Sequence, residues 1–102
     1  MLPIRNLEPE DYDYLSPRLD DWWGGRPVAA MVPRLFFQHF RPTSFAIEQN
    51  GEIVAFLIGF RSQTTPSLAY IHFVGVAPTA RRTGFGRLLY EHFFAVAAKK
   101  RI

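Results

Sequence analysis

The 102-residue chain contains no cysteine, so disulfides and cysteine-based metal sites are excluded. It also lacks a long apolar run, since the longest, from Ile53 to Phe60 and broken only by Gly59, is far too short to cross a bilayer. The first residues do not have the layout of a signal peptide. We therefore expect a cytoplasmic protein that needs no membrane and no metal.

Charge of either sign is scarce: 12 Lys and Arg against 9 Asp and Glu leave a formal net charge of only +3. A mild positive charge suits an anionic small ligand as well as a larger partner. The ten Phe, four Tyr and two Trp follow the spacing of a core, which disfavours a nucleic-acid partner. The basic residues 99–101 are interpreted as the cap of a helix, where cations suit the dipole.

The chain is long enough for one domain, 1–102, and no linker or repeat divides it. Its patterning predicts a strand at 2–7, a helix that starts at 8–11 and ends at the loop 22–27, a helix at 29–40, strands at 43–49, 52–61 and 68–76, and a helix at 84–100. Pro17 should bend or interrupt the first helix, and Asn50-Gly51 signals a two-residue hairpin turn. This order predicts an α/β (α+β) fold with a mixed, largely antiparallel sheet flanked by helices.

Several side-chain positions follow from periodicity. The helix at 29–40 is predicted to bury Met31, Leu35 and Phe36. The apolar run in the 52–61 strand predicts cover on both faces, and Gly59 suggests a bulge or a close approach. In the last helix the apolar residues fill an arc of roughly 240°, against the ~100° of an ordinary surface helix, so cover on more than one side is expected. Alternation in the 68–76 strand places on one face Tyr70, His72, Val74 and Val76.

The most informative stretch joins the 68–76 strand to the last helix. A proline stop at Pro78 is followed by a basic turn that contains Gly84 and Gly86. Free N–H groups at a helix start attract an anion, and glycine lets a phosphate approach them closely. Guanidinium groups, which suit phosphate, surround the turn at Arg81, Arg82 and Arg87. The pattern predicts a phosphate or pyrophosphate site; the alternative is a surface turn whose glycines serve tight geometry.

The same stretch resembles motif A of the GNAT superfamily of N-acetyltransferases. The family core, Arg/Gln-x-x-Gly-x-Gly/Ala, corresponds to Arg81-Arg82-Thr83-Gly84-Phe85-Gly86, and Val76-Ala77-Pro78 leads into it. The resemblance implies a GNAT-like fold in which another strand and helix follow this helix. The chain would then be C-terminally truncated, as a piece of a longer protein, a shortened gene product, or a chain completed by a second copy.

The resemblance also implies an activity and a cofactor. The family transfers an acetyl group from the co-substrate acetyl-coenzyme A to a primary amine of a small molecule or protein. The turn would hold the pyrophosphate, and the strand would pair with the pantetheine arm. The expected cofactor-binding residues are Val74, Val76, Arg81, Arg82, Thr83, Gly84, Phe85, Gly86 and Arg87.

An alkyl ammonium with a pKa of ~10 must lose a proton before it attacks the thioester. Many relatives use a carboxylate on the strand before motif A, whereas this strand offers His72. His72 is a candidate base; the alternative is a hydrogen-bonded histidine of the core or cleft without catalytic duty. The tyrosine that often protonates the leaving thiolate lies on the absent helix, so the general acid stays unassigned.

The acceptor site is predicted at the loop that follows the first helix. Trp22 and Trp23 cannot both face the core easily, so they either line the acceptor cleft or divide between core and surface. Asp20 and Asp21 could hold a cationic amine, or could be solvated carboxylates at a helix end. The residues assigned to the acceptor are Trp22, Trp23 and Asp21.

A second function class is a coenzyme A-binding module without turnover, which associates with itself or a partner. The strand at 68–76 would leave an exposed apolar edge, which is a hazard for association. We therefore expect a homo-oligomer.

Overall fold

The computed structural model describes residues 4–99. One antiparallel sheet, in the order β1-β2-β3-β4, contains β1 (Ile4–Asn6), β2 (Phe45–Gln49), β3 (Glu52–Arg61) and β4 (Ala69–Val76). The helices are α1 (Asp11–Trp22), α2 (Leu35–His39) and α3 (Phe85–Lys99), with short 3₁₀ turns at Ala29–Met31, Arg41–Thr43 and Pro78–Ala80. The predicted mixed α/β class and the element order around the sheet are confirmed.

Strand β3 forms the centre of the core and is buried from Ile53 to Gly59. On one face Phe56 packs against Trp22 at the end of α1, with ring centroids 6.3 Å apart. On the opposite face Gly59 lies under Phe93 of α3, where an added Cβ would come within 2.3 Å of that ring. The apolar run therefore has helices on both sides, as predicted.

The β2–β3 connection is the hairpin that Asn50-Gly51 predicts. Asn50 has φ 54° and Gly51 has φ 79°, and the flanking Gln49 and Glu52 pair directly. Two consecutive left-handed residues are the requirement of a type I′ turn, which Asn-Gly meets at little cost.

Strand β4 contains a bulge. Ile58 pairs with Phe73 and the next residue, Gly59, pairs with Ile71, so His72 has no partner in the β3 register. The bulge suggested by Gly59 is therefore present, and its extra residue lies on β4.

The bulge changes the faces of β4. Phe73 packs on Trp23 at 5.1 Å, and His72 stacks on Phe36 of α2 at 4.4 Å, so both lie on the α1–α2 side. Val76 instead lies against Gly86 of α3. The prediction that His72 shares a face with Val74 and Val76 is wrong, because the extra residue breaks the alternation on which it depended.

The predicted continuous helix at 29–40 is wrong. Val32, at φ −130° and ψ 66°, separates the 3₁₀ turn Ala29–Met31 from α2. The cause is Pro33, since a residue that precedes proline is disfavoured in the helical region.

Burial in this segment also differs from the prediction. Val32 and Phe37 enter the core, whereas Met31 is 54% exposed and Leu35 is 46% exposed. Helix α1 continues through Pro17, so of the two effects predicted for this proline, a bend or an interruption, the interruption is absent.

Helix α3 buries one narrow stripe, formed by Phe85, Leu89 and Phe93. Tyr90 is 41% exposed and Phe94 is 59% exposed, so within residues 4–99 the expected cover on further sides is absent. These two rings follow Gly86 at intervals of four residues, on the side of the helix that meets β4. The two rings are exposed because β4 is the last strand of the sheet and no described element packs beyond it. Within the described part of the chain, no helix is both long and apolar enough to cross a bilayer.

The first strand is tied to the sheet and to α1 by Arg5. Its guanidinium pairs with Asp11 at 2.8 Å and with Glu48 of β2. The hydrogen bond with Asp11 is the main reason that the pKa of Arg5 lies above its ordinary value. The partly buried arginine therefore stays charged and holds the start of α1 against β1 and β2.

Candidate functional site

The chain turns sharply between β4 and α3. After the 3₁₀ turn Pro78–Ala80, Arg82 adopts φ 68° and Gly84 adopts φ 84°, and α3 begins at Phe85. Arginine pays a steric penalty in the left-handed region, whereas glycine does not. The structure thus has the strand-to-helix turn expected at residues 81–86.

The main-chain N–H groups of this turn are available to an external acceptor. The first helical hydrogen bond runs from the N–H of Leu88 to the carbonyl of Gly84, at 3.0 Å. None of the amides from Arg82 to Arg87 donates a hydrogen bond to another residue within 4–99. They lie at the N-terminus of a 15-residue helix, where the dipole favours negative charge.

The two glycines leave open space beside these amides. A Cβ at Gly84 would meet nothing within 4 Å, and a Cβ at Gly86 would meet only Cγ2 of Val76, at 3.9 Å. The turn therefore combines unused donors with room for a bulky anion, such as a phosphate group.

The three arginines of the turn differ in their contacts. Arg81 donates from Nε to the carbonyl of Val76 at 3.2 Å and from a terminal nitrogen to the carbonyl of Trp22. Arg87 forms an exposed pair with Glu91 at 3.2 Å. Arg82 is exposed and donates no hydrogen bond to the described residues. Arg81 thus holds the turn in place, while Arg82 is free to meet a ligand.

The remaining turn residues serve the local structure. The hydroxyl of Thr83 donates to the carbonyl of Ala80 and closes the loop before the helix. Phe85 is buried in the core, so only its backbone faces the turn.

A cavity of about 710 Å³ connects the turn to the loop after α1. Its lining residues are Trp22, Trp23, Gly24, Arg26, Val76 and Arg81. Trp22 is only 8% exposed and Trp23 is half-buried, so the pair divides between core and surface while both residues border the cavity. The structure therefore brings the predicted acceptor loop against the end of β4.

The two aspartates of that loop are separated. Oδ1 of Asp20 accepts hydrogen bonds from the N–H groups of Val28 and Ala29, at 2.9 and 2.8 Å. Asp21 is exposed and lines a different cavity, of about 370 Å³, together with Arg18 and Glu52. Asp20 is a structural clamp of the loop, and Asp21 does not border the tryptophan cavity.

His72 lies on the α2 side of the sheet and is outside the lining of the tryptophan cavity. Its Nε2 is 2.7 Å from the carbonyl of Met31. Because a carbonyl only accepts, Nε2 carries the proton in this contact, and Nδ1 is the nitrogen left with a lone pair.

Sequence reasoning missed Arg26, whose side chain borders the cavity and makes no hydrogen bond or ion pair with the described residues. An arginine in a glycine-rich loop has no periodic signal; its significance depends on which partners the fold brings near it. The described residues contain no group of three or more His, Cys, Asp or Glu able to hold a metal ion.

Comparison with known proteins identifies the sequence family. The sequence model of the acetyltransferase (GNAT) family matches residues 3–102. The L-2,4-diaminobutyric acid acetyltransferase of Chromohalobacter salexigens is 31% identical over 87 residues, which represent 74% of this chain and 45% of that protein.

Solved structures show the same fold. The diaminobutyrate acetyltransferase EctA of Paenibacillus lautus, in complex with L-2,4-diaminobutyric acid and coenzyme A, superposes with a TM-score of 0.75 at 22% identity. That match covers 92% of this chain and 57% of the enzyme. The ribosomal-protein-S18-alanine N-acetyltransferase of Escherichia coli gives a TM-score of 0.69 at 24% identity, over 98% of this chain and 61% of that one. The chain thus spans about half the length of the relatives that it matches.

Proposed function

The chain belongs to the acetyltransferase (GNAT) family, and we propose that it transfers the acetyl group of acetyl-coenzyme A to a primary amine. The observation that carries the proposal is the set of unused amides from Arg82 to Arg87 beside the open positions of Gly84 and Gly86. A diphosphate is the ligand that best matches such donors at a helix N-terminus.

The proposed cofactor site extends along β4. The outer edge of β4 has no neighbouring strand among the described residues, so an extended arm can follow Val74 and Val76. Arg82 and Arg87 add positive charge at the diphosphate, and Arg81 keeps the turn joined to Val76 and Trp22. Thr83 and Phe85 contribute their backbone amides.

The proposed reaction is a direct transfer. The amine nitrogen attacks the thioester carbon, the N–C bond forms, and the C–S bond breaks with departure of coenzyme A as thiolate. The ammonium proton must leave first, and we propose Nδ1 of His72 as its acceptor, because Nε2 is occupied by the carbonyl of Met31. Since His72 is outside the lining of the tryptophan cavity, the proposed transfer passes through a water molecule. The second proton of the amine nitrogen passes to solvent as the amide forms, and the thiolate takes its proton from solvent.

The proposed acceptor is a small primary amine that enters between Trp22 and Trp23, with Asp21 at the outer rim of the loop. The two diaminobutyrate acetyltransferases among the similar proteins make L-2,4-diaminobutyrate the first amine to test. The proposed setting is the cytoplasm, with which the absence of cysteine is compatible, and no nucleic acid, membrane or metal takes part.

The test combines two measurements on the same preparation. Isothermal titration with acetyl-coenzyme A measures binding, and a thiol-release assay with a panel of amines, checked by mass spectrometry of the product, measures transfer. We expect saturable binding and one acetylated amine for each thiol released. Absence of binding at millimolar acetyl-coenzyme A would refute the cofactor site.

A second candidate is a coenzyme A-binding module that associates with itself or a partner. It is favoured by one observation: within residues 4–99, nothing covers the outer edge of β4 or the exposed rings of Tyr90 and Phe94. Binding of acetyl-coenzyme A without thiol release would select it. We propose that a second copy covers this side, so light scattering should give a dimer mass that Phe94→Ser converts to a monomer mass.

A further inference from the structure

The cavity between the α1 loop and the turn contains two arginines with different roles. Both hydrogen bonds of Arg81 go to main-chain carbonyls, those of Val76 and Trp22. Arg26 borders the same cavity, and its guanidinium meets no acceptor among the described residues. The cavity therefore contains one fully available guanidinium.

The loop that carries Arg26 is held in a defined shape. Asp20 accepts hydrogen bonds from Val28 and Ala29 through its side chain, and from Gly25 through its carbonyl at 2.7 Å. Gly24 and Gly25 both adopt left-handed backbone angles, φ 66° and φ 92°. Arg26 thus projects from a fixed support, which reduces the ordering cost of binding through its side chain.

The described lining of this cavity contains two arginines and no carboxylate, so its charge favours an anionic group on a ligand. Its uncharged lining residues are Trp22, Trp23, Gly24 and Val76, which suit a short aliphatic segment. Guanidinium binds a carboxylate through two parallel hydrogen bonds, a geometry that it matches better than any other side chain.

Given the proposed transferase function, on which this step rests, we infer that the acceptor is a small amine that also bears a carboxylate, and that Arg26 binds this carboxylate. The indoles of Trp22 and Trp23 enclose the methylenes between the two groups. Arg26 is then the residue that selects amino acids over simple amines.

The test compares two amines that differ only in the carboxylate, L-2,4-diaminobutyrate and 1,3-diaminopropane, with wild type and Arg26→Gln. We expect wild type to favour the carboxylated amine in kcat/KM by roughly ten- to a hundredfold, the range of a charged hydrogen bond. Arg26→Gln should abolish this preference through KM, with the KM for acetyl-coenzyme A unchanged. Arg18→Gln, an exposed arginine of α1 outside this cavity, is the matched control and should keep the preference.

A binding measurement supplies a second readout. The chain has only two tryptophans and both border the cavity, so intrinsic fluorescence with coenzyme A present reports ligand entry directly. Diaminobutyrate should change the emission of wild type and not of Arg26→Gln, and diaminopropane should change neither.

Three outcomes overturn the inference: an unchanged preference in Arg26→Gln, equal turnover of both amines by wild type, or a rise only in the KM for acetyl-coenzyme A. The last would assign the guanidinium to a coenzyme phosphate. If wild type releases no thiol with any amine, the transferase proposal fails, and the fluorescence titration alone decides whether Arg26 binds a carboxylate.

Discussion

The guanidinium of Arg81 donates a hydrogen bond to the main-chain carbonyl of Trp22, which lies 59 residues earlier in the chain. A second hydrogen bond, to the carbonyl of Val76, fixes the same side chain to the end of β4. Arg81 therefore joins the turn at residues 81–86 to the loop that follows α1, and it supports the fold as well as carrying charge.

Arg81→Gln should weaken both folding and cofactor binding. Loss of two hydrogen bonds from a charged donor should lower the free energy of unfolding by about 1–3 kcal/mol, measured by urea denaturation. The Kd for acetyl-coenzyme A should rise about tenfold in isothermal titration. Arg82→Gln is the control, because Arg82 has no hydrogen bond to lose among the described residues; it should raise the Kd and leave stability within about 0.5 kcal/mol. Equal stability of the two variants would contradict the structural role of Arg81.

Gly86→Glu should abolish acetyl-coenzyme A binding without unfolding the protein. Gly86 is helical and its Cβ direction is nearly open, so a side chain is accommodated, and the glycine penalty of about 1 kcal/mol in a helix is removed. The added carboxylate would repel a diphosphate at the same N-terminus. Gly86→Ala is the neutral control and should bind nearly as wild type. Gly84 is a poorer position for this test, because its φ of 84° strains any other residue.

His72→Gln should slow transfer about a hundredfold in the thiol-release assay if Nδ1 accepts the ammonium proton. Glutamine keeps an N–H for the carbonyl of Met31, so the fold should be preserved, which circular dichroism can verify. A variant with normal kcat would assign His72 to holding the Met31 segment.

Gly59→Ala should destabilise the protein by about 1–3 kcal/mol, the usual cost of overpacking. The new methyl group would approach Cε1 of Phe93 to 2.3 Å, so α3 would have to move from the sheet. Phe93→Leu in the same chain should recover part of the loss. Additive losses in thermal denaturation would show that the two positions are not in contact.

Local signals made much of this fold predictable. The Asn50-Gly51 turn, the buried run of β3 and the glycine-bearing turn at 81–86 each depend on a few consecutive residues, and each lies where the patterning predicted it. The prediction of one helix at 29–40 was wrong for a local reason as well. Pro33 disfavours the helical region at Val32, whereas the apolar spacing on both sides of Val32 favours a helix.

Other features depend on how distant segments meet and have no local signature. The extra residue at His72 arises from the alignment of β3 with β4, so strict alternation assigned half of the strand to the wrong face. Arg26 and Arg81 look equivalent in the sequence. Only the fold shows that Arg81 donates to two main-chain carbonyls, whereas the side chain of Arg26 has no partner among residues 4–99.

Strand β4 has one residue more than its ladder with β3 needs. Phe73 and Ile71 face consecutive residues of β3, so excision of His72 would leave every other cross-strand partner as it is. At this position the strand can therefore gain or lose one residue without a change in the register of β3 and β4. The imidazole is positioned by the carbonyl of Met31 and the ring of Phe36, and it does not depend on strand pairing.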